Sequence, residues 1–288
     1  QCPNCDISLT YHQYSHDIRC HYCGYKEASP RKCPSCGSHQ IKWVGYGTEK
    51  LEESLQQLFP QARVARMDLE TTRQKHGYQQ IISAFEQGQV DILVGTQMLS
   101  KGLDFDGVSL VGIVDVDRMI HFPDFRALER SFHLLSQVGG RAGRRQKEGT
   151  VIIQTTQPGH ELLARVQNHD YQGFFAREIR EREAFRYPPF TRLVRITLRH
   201  AEAATVERAA RHLSQALRQT LGKGRVLGPE QPLVNRLRNL FLQEILIKLE
   251  RDKLNLAAAK QVLLQAREGL WEEKDFRKCQ VVFDVDPG

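Results

Sequence analysis

Two arginines three residues apart are the side chains best suited to chemistry here, in Gln137-Val138-Gly139-Gly140-Arg141-Ala142-Gly143-Arg144. If a helix begins there, that spacing puts both guanidiniums on one face. A planar, permanently charged fork matches the oxygens of a triphosphate. An arginine aimed at a γ-phosphate stabilises the charge that develops in phosphoryl transfer, worth roughly 10³–10⁵ in rate where such a residue is used. The plain alternative is a basic helix start facing solvent. A second segment lies upstream. Asp91-Ile92-Leu93-Val94 is a short apolar run that breaks at Gly95-Thr96, and Lys101-Gly102-Leu103-Asp104-Phe105 follows. A buried strand ending in a glycine-containing loop is the usual place for ligand contact in a parallel α/β sheet.

The cysteines form the third candidate site. Six of the seven lie within the first 36 residues, as the C-x-x-C pairs Cys2/Cys5, Cys20/Cys23 and Cys33/Cys36. Such a cluster would be a disulfide framework in a secreted miniprotein. Here Pro3, Pro34, Gly24 and Gly37 sit beside the pairs, as in zinc knuckles. Each knuckle turns two thiolates toward one tetrahedral ion, and two knuckles complete a Cys₄ site. A redox C-x-x-C, the main rival, would not come in triplicate. Three pairs make one site and a half. Fourteen residues separate Cys5 from Cys20 and nine separate Cys23 from Cys33, so spacing does not decide which pairs join. His12, His16, His21 and His39 are alternative ligands in principle. Cys279 stands alone in an apolar stretch and reads as a core or edge residue.

Elements that would position these residues follow from the apolar pattern. Residues 1–41 read as a zinc-binding module with little regular structure, the metal replacing a hydrophobic core. In 42–158, Leu51, Leu55 and Leu58 repeat at helical spacing and Phe59-Pro60 ends that helix. Strands at 63–67, 90–94, 110–114 and 150–155 alternate with helices at 78–86 and 125–135. Such alternation predicts a parallel sheet with helices on both faces. Residues 159–190 read as a solvated helical connector with interleaved Arg and Glu, broken at Tyr187-Pro188-Pro189-Phe190. Residues 191–288 read as a second, two-layer α/β unit. Its strands fall at 193–198, 226–227, 240–249 and 281–285, its helices at 203–221 and 256–270. The fold class is therefore α/β throughout, apart from the zinc module.

Composition agrees. At 288 residues the length allows about two domains plus a small module. A net charge of +7 and a pI near 9.1 favour a polyanionic partner and say nothing of sequence specificity. The charges are mixed rather than blocked, which argues against a disordered basic tail. No apolar run approaches the ~20 residues needed to span a bilayer, and no signal-peptide pattern opens the chain. The expectation is a cytoplasmic protein without membrane contact.

The order strand, G-T-x-x-x-x-x-G-x-D-F, strand, Q-x-x-G-R-x-x-R resembles the second, RecA-like motor lobe of superfamily-2 helicases. Three further segments narrow the likeness: Val114-Asp115-Val116-Asp117 with Pro123-Asp124-Phe125-Arg126-Ala127-Leu128-Glu129-Arg130, then Tyr187-Pro188-Pro189-Phe190, then Phe283-Asp284-Val285-Asp286-Pro287. With the cysteine-rich start, the chain resembles the PriA replication-restart helicases of bacteria over essentially its whole length. The resemblance implies that Arg141 and Arg144 contact the γ-phosphate and that Gln137 organises their motif. Gly102 and Asp104 would lie at the nucleotide, Gly95 and Thr96 near the DNA backbone. It also implies two nested zinc sites built from four knuckles. Cys2, Cys5, Cys20 and Cys23 would form one, while Cys33 and Cys36 would be half of the other, their partner knuckle lying before Gln1.

The C-terminal unit resembles the PriA domain involved in branched-DNA binding. Leu240-Phe241-Leu242-Gln243-Glu244 departs from the pattern, being mostly apolar or acidic where relatives carry basic and aromatic residues. Arg236 and Arg238 remain as candidate phosphate contacts. There is no G-x-x-x-x-G-K-[ST] and no D-E-x-H box. Without them Asp115 and Asp117 do not read as a magnesium-binding pair. The chain is then expected to be the C-terminal part of an ATP- and Mg²⁺-dependent 3′→5′ DNA helicase, inactive alone, that recognises stalled forks and restarts replication. Implied partners are branched and single-stranded DNA, single-strand-binding protein and primosome-loading proteins. A monomer in the bacterial cytoplasm, associated with the nucleoid, is expected. A zinc ribbon without a motor would explain the cysteines and charge but not the two motor segments in order. A remodeller of RNA would not explain the Pro123–Arg130 run or the chain's ending.

Overall fold

The computed structural model describes residues 1–12, 15–40, 47–68, 71–72, 77–100, 107–140, 149–250 and 256–287. The chain divides into two compact units, one of residues 42–178 and one joining 1–41 to 179–288. The junction expected at 41–42 lies outside the described residues.

The N-terminal module carries a small antiparallel sheet, β1 (Thr10–His12), β2 (Asp17–Arg19) and β3 (Lys26–Ala28), in the order β1-β2-β3. The sequence predicts little regular structure there, because three-residue strands are too short to show an alternating pattern. Asp17 is buried in β2, and its charge is met by Arg19 Nε at 2.5 Å and Lys26 Nζ at 2.8 Å. Those partners hold the Asp17 carboxyl well below the usual carboxylate range. A buried carboxylate is tolerated only with such pairing. The module's core is Cys2, Cys5 and Cys20, with Ile7, Leu9, Cys23, Tyr25 and Leu237 packed around them.

Residues 42–178 hold α1 (Thr48–Leu58), β4 (Val64–Met67), α2 (Gly77–Glu86), β5 (Ile92–Gly95), β6 (Leu110–Ile113), α3 (Asp117–Ile120), α4 (Ala127–Gly139), β7 (Thr150–Ile153) and α5 (Glu161–Gln167). The unit boundary falls within α6 (Tyr171–Ala184). Both strand pairings are parallel: Val64 to Met67 runs beside Ile92 to Gly95, and Leu110 to Ile113 beside Thr150 to Ile153. A parallel pair needs a crossover. Helix α2 lies in one, α3 and α4 in the other. Among the described residues the strands form two pairs rather than one continuous ladder. Arg66 ties β4 to α1, its guanidinium 3.1 Å from Glu49 and 3.4 Å from Glu52. The core of this unit is Val116, Ile120, Phe132, Leu135, Leu162, Val166 and Phe174. Phe132 and Phe174 stack with ring centroids 4.3 Å apart. Leu162, Val166 and Phe174 belong to the stretch that reads as a solvated connector. Its charges dominate the sequence pattern, yet these three apolar side chains are buried.

The C-terminal part is β8 (Thr191–His200), α7 (Ala203–Leu221), β9 (Val226–Glu230), β10 (Arg236–Leu237), β11 (Leu240–Glu250), α8 (Leu256–Glu272) and β12 (Gln280–Val285). The sheet is antiparallel in the order β10-β11-β8-β12, with β9 also paired to β11. Alternation along the strands puts Val194, Ile196 and Leu198 of β8 on one face with Ile245, Ile247 and Leu249 of β11. Helix α7 covers them with Val206, Ala209, Leu213 and Leu217, and α8 with Ala259, Leu263 and Leu270. Each fully buried leucine contributes about 1.5–3 kcal/mol. Cys279 is buried in this core, as its apolar surroundings predict. Lys248 alternates to the other face, where its Nζ donates to the Phe185 carbonyl at 2.7 Å and lies 3.8 Å from the Tyr187 ring centroid. Burial pushes its pKa down.

Candidate metal centre

The two later knuckles share one backbone pattern. The Cys20 amide donates to the Tyr25 carbonyl at 2.8 Å and the Gly24 amide returns to the Cys20 carbonyl at 3.0 Å. In the same way Cys33 donates to Ser38 and Gly37 returns to Cys33, both at 2.8 Å. The returning residue sits at positive φ, 77° for Gly24 and 70° for Gly37, which glycine adopts without strain. The first knuckle begins alike, with the Cys2 amide donating to Ile7 at 2.8 Å. Its fifth residue is Asp6, which has no positive φ. The Asp6 amide donates instead to the Arg236 carbonyl, at 2.8 Å.

These turns bring Cys2, Cys5, Cys20 and Cys23 together, with all four Sγ atoms within 4.8 Å of one another. Cys2 Sγ and Cys23 Sγ are 3.5 Å apart. A tetrahedral ion with bonds of about 2.3 Å to sulfur needs sulfurs about 3.8 Å apart, so the quartet fits zinc with small adjustments. Four thiolates also suit a soft ion and leave no open position, the mark of a structural site. Burial pushes the Cys2 thiol up, and the Cys5 thiol to about 11 against the opposing pull of the Arg238 amide. The Tyr25 amide brings Cys23 down to about 7. Metal binding at these residues therefore displaces protons. Cys33 and Cys36 keep their knuckle turn but do not join the quartet. Among the described residues no histidine enters a group of three or more potential ligands. The His12 and His21 rings pack edge to face, 5.2 Å apart.

Arg236 and Arg238 sit where β10 turns into β11, against this quartet. The Arg238 amide donates to Cys5 Sγ at 3.2 Å, and its Nε to the Tyr22 carbonyl at 3.1 Å. The Asn239 amide donates to the Asn4 carbonyl at 2.7 Å. The Arg236 guanidinium lies 5.9 Å from the centroid of the Phe241 ring. The sequence offers both arginines as candidate phosphate contacts. Their backbone contacts with the knuckles leave no residue-type signature beyond the missing glycine at Asp6.

Of the motor-lobe residues, Gly95 ends β5 and Thr96 opens the following turn, its carbonyl accepting from the Leu99 amide at 3.0 Å. A Cβ on Gly95 would fall 2.5 Å from the Met67 carbonyl oxygen and 2.8 Å from Leu99, so only glycine fits. Gln137 is exposed on α4. Arg141, Arg144, Gly102 and Asp104 lie outside the described residues. Asp117 is anchored by Thr155 Oγ1 at 2.5 Å and by the amide and hydroxyl of Thr156, each at 2.7 Å. Asp115 pairs with Arg118 at 3.2 Å. Both carboxylates are thus engaged by partners within the chain.

Three family descriptions match successive stretches of the chain. Residues 2–27 match the PriA DNA helicase Cys-rich region domain. Residues 38–146 match the helicase conserved C-terminal domain, and residues 183–288 the primosomal protein N C-terminal domain. A replication restart protein PriA of Bacillus subtilis (strain 168) is 40% identical over 288 residues, all of this chain and 35% of the relative. Proteins of the same name are 40% identical in Synechocystis, over 86% of this chain and 30% of the relative, and in Treponema pallidum, over 98% and 43%. The chain thus spans 30% to 43% of the length of these relatives.

Proposed function

The chain belongs to the PriA replication-restart family, and from that premise we propose that it supplies the zinc module, second motor lobe and C-terminal DNA-binding domain of an ATP-dependent 3′→5′ DNA helicase that restarts stalled forks. The observation that carries this reading is the four-thiol quartet standing ahead of the helicase segments, in the order of the three family matches. Arg141 and Arg144 contact the γ-phosphate, Gln137 organises them, and Gly102 and Asp104 meet the nucleotide. ATP and Mg²⁺ are held chiefly by the other motor lobe. Gly95 and Thr96 line the DNA backbone, a role that suits a loop too tight for any side chain at Gly95. Arg236 and Arg238 contact phosphates from the β10–β11 turn. By sequence the domains divide as 1–41, 42–158, 159–190 and 191–288, with Leu162, Val166 and Phe174 of the third packed into the core of the second.

Zinc fills the Cys2, Cys5, Cys20 and Cys23 site, and Cys33 and Cys36 form half of a second. When bound, the ion supplies no chemistry of its own beyond holding the knuckles. Partners are branched and single-stranded DNA, single-strand-binding protein and primosome-loading proteins, met as a monomer in the nucleoid-associated cytoplasm. The 288-residue chain by itself is expected to hydrolyse no ATP, since it has no P-loop to cradle the phosphates.

The test is made in a protein that carries both motor lobes. Arg141→Ala or Arg144→Ala is expected to lower DNA-stimulated ATP turnover by roughly 10²-fold or more. ATP binding weakens less, because the main grip on the phosphates lies elsewhere. Near-normal turnover in both variants overturns the assignment.

A further inference from the structure

We propose that the main-chain amide of Arg238 is part of the metal centre, so that zinc occupancy and the conformation of the β10–β11 hairpin form one coupled equilibrium. The inference rests on the zinc reading of the quartet and goes beyond it to a residue 233 positions from the cysteine it touches.

The turn itself is the first observation. Leu237 pairs with Leu240, so the loop between them is two residues long. Arg238 and Asn239 both have positive φ, 51° and 63°. Two such residues make the tight turn whose twist suits an antiparallel hairpin, and Asn-Gly is the usual pair. Arginine at its first position is strained and persists only where surrounding contacts over-determine it. Here they do. The Arg238 amide points at Cys5 Sγ, its Nε at the Tyr22 carbonyl, and the next amide at the Asn4 carbonyl. Asp6 answers by donating to Arg236. One turn therefore holds both knuckles of the quartet, 2–5 and 20–23.

The second observation is electrostatic. Cys5 is fully buried. Four thiolates around a divalent ion leave a net negative charge, and a buried sulfur can share it only with donors aimed at it. Donors to ligand atoms tune a site, and removing one typically costs 10–100-fold in metal affinity. Coupling is reciprocal: a metal that favours this turn is itself favoured by it.

The whole chain is loaded with ¹¹³Cd as a magnetic stand-in for zinc, and its ¹H–¹⁵N spectrum is recorded. The Arg238 amide proton is expected to show a splitting from the metal through Cys5 Sγ. Arg238→Pro removes the amide and cannot adopt a positive φ. Arg238→Gly keeps the amide and loses only the side chain. Zinc affinity, read by chelator competition, is expected to fall about 10–100-fold in Arg238→Pro relative to Arg238→Gly. A metal-loaded chain with no splitting at Arg238, or equal affinities in the two variants, overturns the inference while the zinc reading stands. A chain that takes up no metal overturns both.

Discussion

Asp6 shows how much one residue decides. Where Gly24 and Gly37 close their knuckles by a left-handed turn, Asp6 has no positive φ, and its amide is turned out to Arg236. The cysteines themselves were legible, because thiolates at C-x-x-C spacing have few uses outside metal binding. Which pairs join was not readable from spacing, and the quartet of Sγ atoms within 4.8 Å decides it for Cys2, Cys5, Cys20 and Cys23. The metal content follows. Elemental analysis of the purified chain is expected to give a zinc ratio near one. Cys20→Ala is expected to abolish it and Cys33→Ala to leave it nearly unchanged. Two tightly held zincs per chain would show that histidines or a second chain complete the Cys33/Cys36 half-site.

At the scale of elements, length governed what could be read. Helix α7 (Ala203–Leu221) and strand β11 (Leu240–Glu250) span enough residues for a helical or alternating pattern to repeat. The three-residue strands β1 to β3, the two-residue β10 and the four-residue α3 do not. Their positions come from contacts, as Asp117 illustrates. It opens α3 and accepts three hydrogen bonds from Thr155 and Thr156 after β7, fixing one loop against another. Those donors, led by the Thr155 hydroxyl, lower its pKa from 3.8 to about 2. A carboxyl whose folded value is depressed stabilises the fold fully above the unfolded value, and that stabilisation is lost as pH falls through the folded one. Asp117→Asn is therefore expected to lower the urea midpoint at neutral pH. The gap from the unaltered chain should close as pH falls from about 4 to about 2. A gap that does not change with pH would mean that the carboxylate's charge is immaterial.

Over the whole molecule, a net charge of +7 bears on partners rather than on fold. The proposed phosphate contacts imply that the chain binds DNA without base specificity and that affinity falls steeply as salt rises, through counterion release. Fork, duplex and single-stranded DNA, titrated at two salt concentrations, check this. The fork is expected to bind best, and charge reversal at Arg236 and Arg238 to weaken every substrate. Equal affinity for all three removes fork recognition, and salt-independent binding contradicts the phosphate mechanism. By itself the sequence determined the kinds of parts and their order: knuckles, a parallel α/β lobe and a two-layer α/β domain. Residue type, spacing and periodicity are local quantities, and those parts are built from local patterns. Tertiary structure alone decided that the first residues of the chain join the last hundred in one unit. It also decided that an arginine offered as a candidate phosphate contact gives its backbone to a cysteine 233 residues away. Main-chain donors are the same at every residue except proline, so nothing in a sequence marks which of them a distant sulfur will use.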